Sequence, residues 1–256
     1  MKYGICALTA IPMRSQPSDK AEMVNQVLFG ETFSIEDESD KNWCMIKLDH
    51  DGYLGWVDSK QVLPVEARLA NEKPAVLTLP VLFATYGLST MLIPAGALLH
   101  GWDGSSFDIG KREYRIEARD FATTRKPDLD DALRMFQGVP YQWGGRTVFG
   151  MDCSGFVQLV FRICGHWIAR DAAQQAETGE LISFIDEAQT GDLAFFDNNE
   201  GRITHVAVVE RHEDDPSLTH AWHCSGMVRS DKLDHQGIFN AELNKYTHKL
   251  RMIKRG

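Results

Sequence analysis

Strand-type and helix-type patterns are segregated along this 256-residue chain, and their order limits the folds open to it. Residues 1–66 consist of short strand-like runs, at 24–28, 32–35, 43–48 and 55–57, separated by polar turns. Short strands at this spacing predict a small β-barrel. Residues 75–117 repeat the pattern, with turns at 92–97 and 101–104, and predict a second, more diverged barrel.

The chain after about residue 126 has a different pattern, in which helices precede strands. Acidic residues at 128–131 followed by apolar residues at helical spacing predict a first helix, and residues 154–163 and 172–178 predict two more. Strand-like runs follow at 192–196, 203–209 and 217–222. Helices first and antiparallel strands second predict an α+β domain. The predicted domains are therefore 1–66, 67–125 and 126–256.

Composition limits the partners and the compartment. A net charge of -9 argues against nucleic acid and against an anionic membrane surface, and no apolar stretch is long enough to span a bilayer. The five cysteines are odd in number and contain no CxxC pair, which favours a reducing compartment. Gly4 and Thr9 interrupt the first apolar run, so it is a poor signal-peptide core. We expect a cytoplasmic protein, or a periplasmic one if a leader has been removed.

One cysteine stands out by its position. Residues 141–155 read Tyr-Gln-Trp-Gly-Gly-Arg-Thr-Val-Phe-Gly-Met-Asp-Cys-Ser-Gly, so a glycine-rich turn leads to Cys153 at the start of a predicted helix. The positive end of a helix dipole favours thiolate, the form that attacks carbonyl carbon. Cys153 is therefore a candidate nucleophile, with a buried structural cysteine as the alternative. Cys164, on the apolar stripe of the same helix, is expected in the core.

A nucleophilic cysteine needs a general base and a group that orients the base. His205 lies in a strand-like run, 203–209, and His220 lies in the next one. Neighbouring antiparallel strands bring side chains to within about 5 Å, so His220 is predicted to bond the far nitrogen of His205 and to fix its tautomer.

Metal binding is the rival chemistry for these residues. The zinc-type ligands in this part of the chain are Cys153, His205, His220, His223 and Cys224. They lack a spacing typical of zinc sites, such as HExxH or CxxC, so no metal and no cofactor are predicted. On this interpretation His223 and Cys224 are loop residues.

Five motifs, in order, resemble the NlpC-type cell-wall cysteine peptidases: Tyr-x-Trp-Gly-Gly, Asp-Cys-Ser-Gly-Phe-Val, Gly-Asp-Leu-Ala-Phe-Phe, His-Val-Ala-Val-Val and His-Ala, covering most of residues 138–222. The resemblance implies a papain-like catalytic domain. It implies that Cys153 is the nucleophile, His205 the base and His220 the orienting residue. It also implies that the hydroxyl of Tyr141 stabilises the oxyanion. The positions implied to contact substrate are Trp143, Asp152 and Ser154.

The N-terminal part resembles the bacterial SH3-like modules that often precede this catalytic domain. The whole layout is similar to the γ-D-glutamyl-L-diamino acid endopeptidases of the family, which cut muropeptides between D-glutamate and the diamino acid and require a free N-terminal L-alanine. The resemblance implies that Glu22 and Tyr53 meet the alanine amine and that Asp171 lies beside substrate. The structural alternatives are an exposed glutamate, a barrel-core tyrosine and a helix N-cap.

The expected partner is thus a peptidoglycan-derived peptide, L-Ala-γ-D-Glu-diamino acid, with lysine and diaminopimelate both compatible. Two other enzymes remain open: a wall-degrading hydrolase with an open groove, and an amidase or acyltransferase on the same fold. A wall-binding protein with a degenerate catalytic domain is disfavoured, because such a copy has little reason to keep His205 in a buried strand.

Overall fold

The computed structural model describes residues 2–39, 42–66, 73–116, 124–212 and 218–256. The chain divides into two compact units, one of residues 1–128, 143–148 and 162–167, the other of residues 129–142, 149–161 and 168–256. The predicted domain limits stay predictions, since the limit at 66/67 borders residues 67–72, which lie outside the described residues. The predicted limit at 125/126 stays a prediction as well, because residues 117–123, just before it, also lie outside the described residues.

Seven antiparallel strands open the first unit: β1 (Lys2–Cys6), β2 (Ala10–Arg14), β3 (Met23–Leu28), β4 (Thr32–Ser39), β5 (Trp43–Leu48), β6 (Leu54–Asp58) and β7 (Val62–Val65). Their order in the sheet is β3-β2-β6-β5-β4-β1-β7. Alternating apolar side chains, among them Ile11, Val27, Phe33 and Ile46, point into one core. The predicted SH3-like β-domain is confirmed.

Six further strands follow: β8 (Ala75–Val76), β9 (Val81–Tyr86), β10 (Ser89–Pro94), β11 (Leu98–Leu99), β12 (Ser106–Ile109) and β13 (Arg112–Ile116). They form a four-stranded sheet, β10-β9-β13-β12, and a two-stranded sheet, β11-β8. Their core includes Ile5 and Phe29 from the preceding sheet, and Phe29 packs edge-on to Tyr114 at a centroid distance of 5.2 Å. The second β-module therefore shares a core with the first.

The described residues after 123 hold three α-helices, α1 (Leu129–Met135), α2 (Cys153–Ile163) and α3 (Ala172–Gln175), and nine strands. The strands are β14 (Arg146–Thr147), β15 (Gly150–Met151), β16 (Glu180–Ile182), β17 (Leu193–Asp197), β18 (Ile203–Arg211), β19 (Thr219–Ser225), β20 (Met227–Asp234), β21 (Gly237–Asn240) and β22 (Lys245–Arg255). In the described part of the chain, no helix has the length and apolarity needed to cross a membrane.

The large sheet of the second unit closes on itself. Its order is β16-β22-β17-β18-β19-β20-β21, and β21 also pairs with β22, so six strands form a barrel. Helix α2 is amphipathic, with Phe156, Val157 and Val160 fully buried. The α+β expectation is confirmed, with β-structure dominant and few helices.

Two local expectations are wrong. Strand β19 continues through His223 and Cys224, because its ladder with β20 runs to the pair Ser225–Met227 and turns at Gly226, whose φ is +72°. These two residues therefore lie in a strand and not in a loop. Cys164 follows the end of α2 and is half-buried, so it is not a core residue of the helix stripe.

Candidate active site

Cys153 is the first residue of α2. Asp152 just before it accepts a hydrogen bond from the backbone N–H of Gly155 at 2.7 Å, which fixes the start of the helix. The thiol is only 7% exposed, and its Sγ lies 4.0 Å from the carbonyl oxygen of Thr204 on β18. The backbone N–H of Val206 also bonds the sulfur. The thiol thus contacts both chain neighbours of His205.

The resting form of this cysteine is the thiol. Burial raises the pKa of Cys153 to about 11, and the carboxylate of Asp152 acts in the same direction. The backbone N–H groups of Val206 and Ser154 and the Arg170 guanidinium oppose this rise without cancelling it. Removing the sulfur from water therefore outweighs the field of the helix N-terminus, which by itself favours thiolate. The thiol needs a base at the moment of attack.

His205, on β18, is buried and connected to two further residues. Its Nε2 lies 2.9 Å from Nδ1 of His223 on β19, and Nε2 of His223 lies 3.1 Å from Oδ2 of Asp231 on β20. A carboxylate only accepts, so His223 donates from Nε2 and its Nδ1 accepts from His205. This order leaves Nδ1 of His205 without a proton. We call Asp231, His223 and His205 the relay.

The orienting residue is therefore His223, and the prediction of His220 is wrong. Residues of β18 pair with residues of the same parity in β19, as in Glu210 with His220. Side chains alternate between the two faces of a strand, so His205 shares a face with His223. His220 lies on the other face, with its ring 5.1 Å from that of His212.

A third imidazole lies against the base. His248 on β22 stacks on His205 with a centroid distance of 4.1 Å and an interplanar angle of 21°. Burial is the main cause that lowers the pKa of His205 well below 6.5, and burial likewise lowers that of His248 to about 4. Both rings are neutral at pH 7, so His205 is able to accept a proton. His248 was missed because it lies 43 positions after His205, on a strand whose place in the barrel the sequence does not give.

Tyr141 lies near the thiol and is 38% exposed. Its backbone N–H donates to the carbonyl oxygen of Gly226 at 2.9 Å. Burial, followed by the charges of Cys153 and Asp152, raises the pKa of Tyr141 to about 12. The phenol therefore keeps its proton and is a hydrogen-bond donor, as its predicted role requires.

Asp152 and Ser154 belong to a buried polar network around Arg170. The guanidinium donates to Oδ1 and Oδ2 of Asp152 at 2.9 and 2.6 Å and to Oγ of Ser154 at 2.9 Å. Such a bidentate pair fixes the residues on both sides of Cys153. Asp171 is the N-cap of α3, where its backbone N–H donates to Oε1 of Gln174 at 3.2 Å. This contact is the one expected of a helix N-cap. The role of Asp171 beside substrate stays a prediction.

The three remaining predicted residues lie in the first unit. Nε1 of Trp143 donates to Oε1 of Glu22 at 2.6 Å, although the two are 121 positions apart. The hydroxyl of Tyr53 donates to the carbonyl oxygen of Val24 at 3.4 Å, and its ring packs against the barrel core. Gly144 lets these segments approach, since a Cβ there would lie 2.4 Å from the carbonyl oxygen of Met23.

Comparison with known proteins identifies relatives of both the C-terminal and the N-terminal parts of the chain. Residues 138–246 match the NlpC/P60 family, and residues 13–62 match the bacterial dipeptidyl-peptidase Sh3 domain. The gamma-D-glutamyl-L-lysine dipeptidyl-peptidase of Bacillus subtilis (strain 168) is 32% identical over an alignment of 206 residues, and the match covers 72% of this chain and 68% of that protein. The chain belongs to the NlpC/P60 family. Members of this family are cysteine peptidases, and so is this protein.

Further relatives support the assignment. A gamma-D-glutamyl-L-lysine dipeptidyl-peptidase of Bacillus cereus (strain ATCC 10987 / NRS 248) is 27% identical over an alignment of 224 residues, and the match covers 73% of this NlpC/P60 chain and 64% of the relative. The chain spans about two thirds of the length of both relatives. A crystal structure of an NlpC/P60 family protein from Bacillus cereus ATCC 10987 superposes with a TM-score of 0.76 at 18% identity, covering 99% of each chain. An NlpC/P60 endopeptidase from Photobacterium damselae subsp. piscicida gives 0.73 at 17% identity, covering 98% of this chain and 70% of that one. Both likenesses confirm the fold.

Proposed function

We propose that this NlpC/P60 protein hydrolyses the bond between γ-D-glutamate and the diamino acid of peptidoglycan-derived peptides that carry a free N-terminal L-alanine. The observation that carries the proposal is the relay, which leaves Nδ1 of His205 without a proton, on the strand whose Thr204 carbonyl oxygen lies 4.0 Å from the Cys153 sulfur. The choice of bond is supported by the names of the two relatives and by the match to a dipeptidyl-peptidase Sh3 domain.

The first half of the reaction is acyl transfer to sulfur. Nδ1 of His205 takes the proton of Cys153 while Sγ attacks the γ-carbonyl carbon of D-glutamate. The Tyr141 hydroxyl donates a hydrogen bond to the oxyanion of the tetrahedral intermediate. The carbon–nitrogen bond then breaks, and the proton on His205 passes to the leaving amine of the diamino acid. A thioester on Cys153 remains.

The second half is hydrolysis. Nδ1 of His205 takes a proton from water, whose oxygen attacks the thioester, and the proton then returns to sulfur as L-Ala-D-Glu leaves. While His205 is protonated, His223 accepts its Nε2–H and Asp231 stabilises the positive charge shared by the two rings. His223 and Asp231 are positioning residues in this scheme.

Recognition of the free amine is assigned to Glu22. Its carboxylate fits an ammonium group through a charge-assisted hydrogen bond, and Trp143 already holds one of its oxygens. Trp143 follows Tyr141 by two positions in the chain. An enzyme of this specificity leaves intact wall peptides alone, because their alanine is acylated. A role in recycling wall fragments in the cytoplasm follows, and five free cysteines are compatible with a reducing compartment.

A paired digest tests the proposal. The enzyme is incubated separately with L-Ala-γ-D-Glu-diaminopimelate, with the lysine counterpart of this peptide, and with the N-acetylated form of each. Mass spectrometry then identifies the products. We expect release of L-Ala-D-Glu from the free peptides only, and Glu22→Gln is expected to weaken that preference. Equal cleavage of the acetylated peptides would favour a wall-degrading hydrolase with an open groove.

A further inference from the structure

We infer that His205, His223 and His248, here called the histidine trio, form a binding site for zinc, and that zinc bound there switches the peptidase off. Each residue offers one ring nitrogen, and these nitrogens lie within 4.8 Å of one another. The inhibition rests on the proposed role of His205 as the base, whereas the binding of zinc does not.

The distances suit a first-row cation. Zn–N bonds are about 2.0–2.1 Å long, so two nitrogens in a tetrahedral site lie about 3.3 Å apart. Nε2 of His205 and Nδ1 of His223 are 2.9 Å apart, so a small opening of this pair admits the ion. The ring of His248 lies 4.1 Å from that of His205 and 5.4 Å from that of His223, centroid to centroid.

The trio also has the outer contacts that metal-ligating histidines use. A ligating imidazole commonly bonds a carboxylate or other polar group through its second nitrogen, which orients the first toward the metal. Nε2 of His223 bonds Asp231, and Asp231 is held in turn by Arg229 at 2.9 Å. Nδ1 of His248 lies 2.9 Å from Oγ1 of Thr247. These contacts are already in place without any metal.

The ligand set selects the type of ion. Three imidazoles suit zinc, copper(II) and nickel(II), whereas magnesium and calcium prefer oxygen ligands. A second group in the described residues, Glu210, His212 and His220, also brings three ligand atoms together. In that second group the Glu210 carboxylate already accepts hydrogen bonds from Trp222 and Arg134, at 2.9 and 3.0 Å. The second group is therefore an internal control for metal binding.

Zinc in the trio would act on the base directly. The ion takes the lone pair at Nε2 of His205, so the ring proton moves from Nε2 to Nδ1. Nδ1 is the nitrogen that has to accept the Cys153 proton, and it then has no lone pair free. The bond to His223 is lost as well. Zinc is therefore an inhibitor of this enzyme and not a cofactor.

Binding is tested with cobalt(II), whose visible absorption reports a tetrahedral nitrogen site, in the full-length Cys153→Ala protein so that the thiol cannot be a ligand. We expect one Co²⁺ per chain, displaced by Zn²⁺. His248→Phe and His248→Gln, in the same background, should each weaken binding on the order of 100-fold or more, since loss of even an outer-shell contact costs 10–100-fold. His212→Gln should leave binding unchanged. Unchanged binding in both His248 variants, or loss of binding in His212→Gln, would overturn the site.

Inhibition is tested separately with the unmodified enzyme and its free tripeptide substrate. Zn²⁺ should abolish cleavage, a chelator should restore it, and in His248→Gln the half-inhibiting concentration should rise by the same factor as the loss of affinity. Cobalt binding with undiminished cleavage would refute the inhibitory role. If the unmodified enzyme cleaves no tripeptide, the proposed function fails, while the absorption titration still decides the metal site.

Discussion

At the scale of single residues, reactivity depends on two opposing effects on Cys153. The start of a helix favours a thiolate, but burial of the sulfur raises its pKa to about 11. Cys153 was predictable from sequence because the glycine-rich turn and the helix that follows are local signals. Its protonation state was not predictable, because burial is set by the barrel strands that pack around it.

The neutral state of His205 gives a prediction for pH dependence. Burial lowers the pKa of His205 well below 6.5. The ring is therefore already neutral at acidic pH values at which a free histidine is still protonated. Activity requires the neutral ring and falls as acidification protonates it. The acid limb of kcat/KM, which reports the free enzyme, should therefore have its midpoint below pH 6.5. A midpoint at or above that value would contradict the account.

At the scale of elements, the site depends on the register between β18 and β19. The strand carrying His205 was recognisable from its apolar run, and a histidine partner on the next strand was expected. The pairing of Glu210 with His220 decides which histidine of β19 shares a face with His205. Residues 213–217, in the connection between β18 and β19, lie outside the described residues. A shift of one residue moves a side chain to the other face, so sequence spacing alone did not decide between His220 and His223.

The register predicts opposite outcomes for two neighbouring histidines. His223→Gln removes the acceptor that fixes the tautomer of His205, so kcat should fall on the order of 10²-fold or more. His220→Gln, on the opposite face, should leave kcat within about twofold. The measurement is kcat for both variants on the free tripeptide, with circular dichroism to check folding. A larger loss in His220→Gln than in His223→Gln would exclude the relay.

At the scale of the whole molecule, the first unit is joined across distant parts of the chain by a buried ion cluster. The Glu31 carboxylate, after β3, accepts hydrogen bonds from Arg146 and Arg162, and all three side chains are buried. These arginines, with His50, lower the pKa of Glu31 to about 2 in spite of burial, which alone would raise it. The cluster was not predictable from local sequence patterns, because Glu31 is separated from each of the two arginines by more than a hundred positions.

Loss of the cluster should destabilise the fold. Glu31→Gln leaves two buried guanidinium groups without their counter-charge, and we expect the free energy of unfolding to fall by about 3–5 kcal/mol. Glu66→Gln, at an exposed position, is the matched control and should change little. Chemical denaturation of both variants at neutral pH measures the difference. Equal stability of the two would show that the cluster contributes nothing net.

The same cluster sets an acid limit on stability. The pKa of Glu31 is depressed from 4.5 to about 2 on folding, so the carboxylate stabilises the fold fully above pH 4.5. That contribution is lost progressively as pH falls from 4.5 through 2, and the loss should be absent from Glu31→Gln.

In the proposed mechanism Cys153, with the relay as its base, forms a thioester with the γ-carbonyl of a muropeptide that has a free amine. Rapid acid quench of the enzyme with L-Ala-γ-D-Glu-diaminopimelate, followed by intact-protein and peptide mass spectrometry, tests it most directly. We expect a mass increase of one L-Ala-D-Glu acyl unit on the peptide containing Cys153, absent from Cys153→Ala and retained in Cys224→Ala. Turnover of the substrate by Cys153→Ala, or an adduct on another residue, would contradict it.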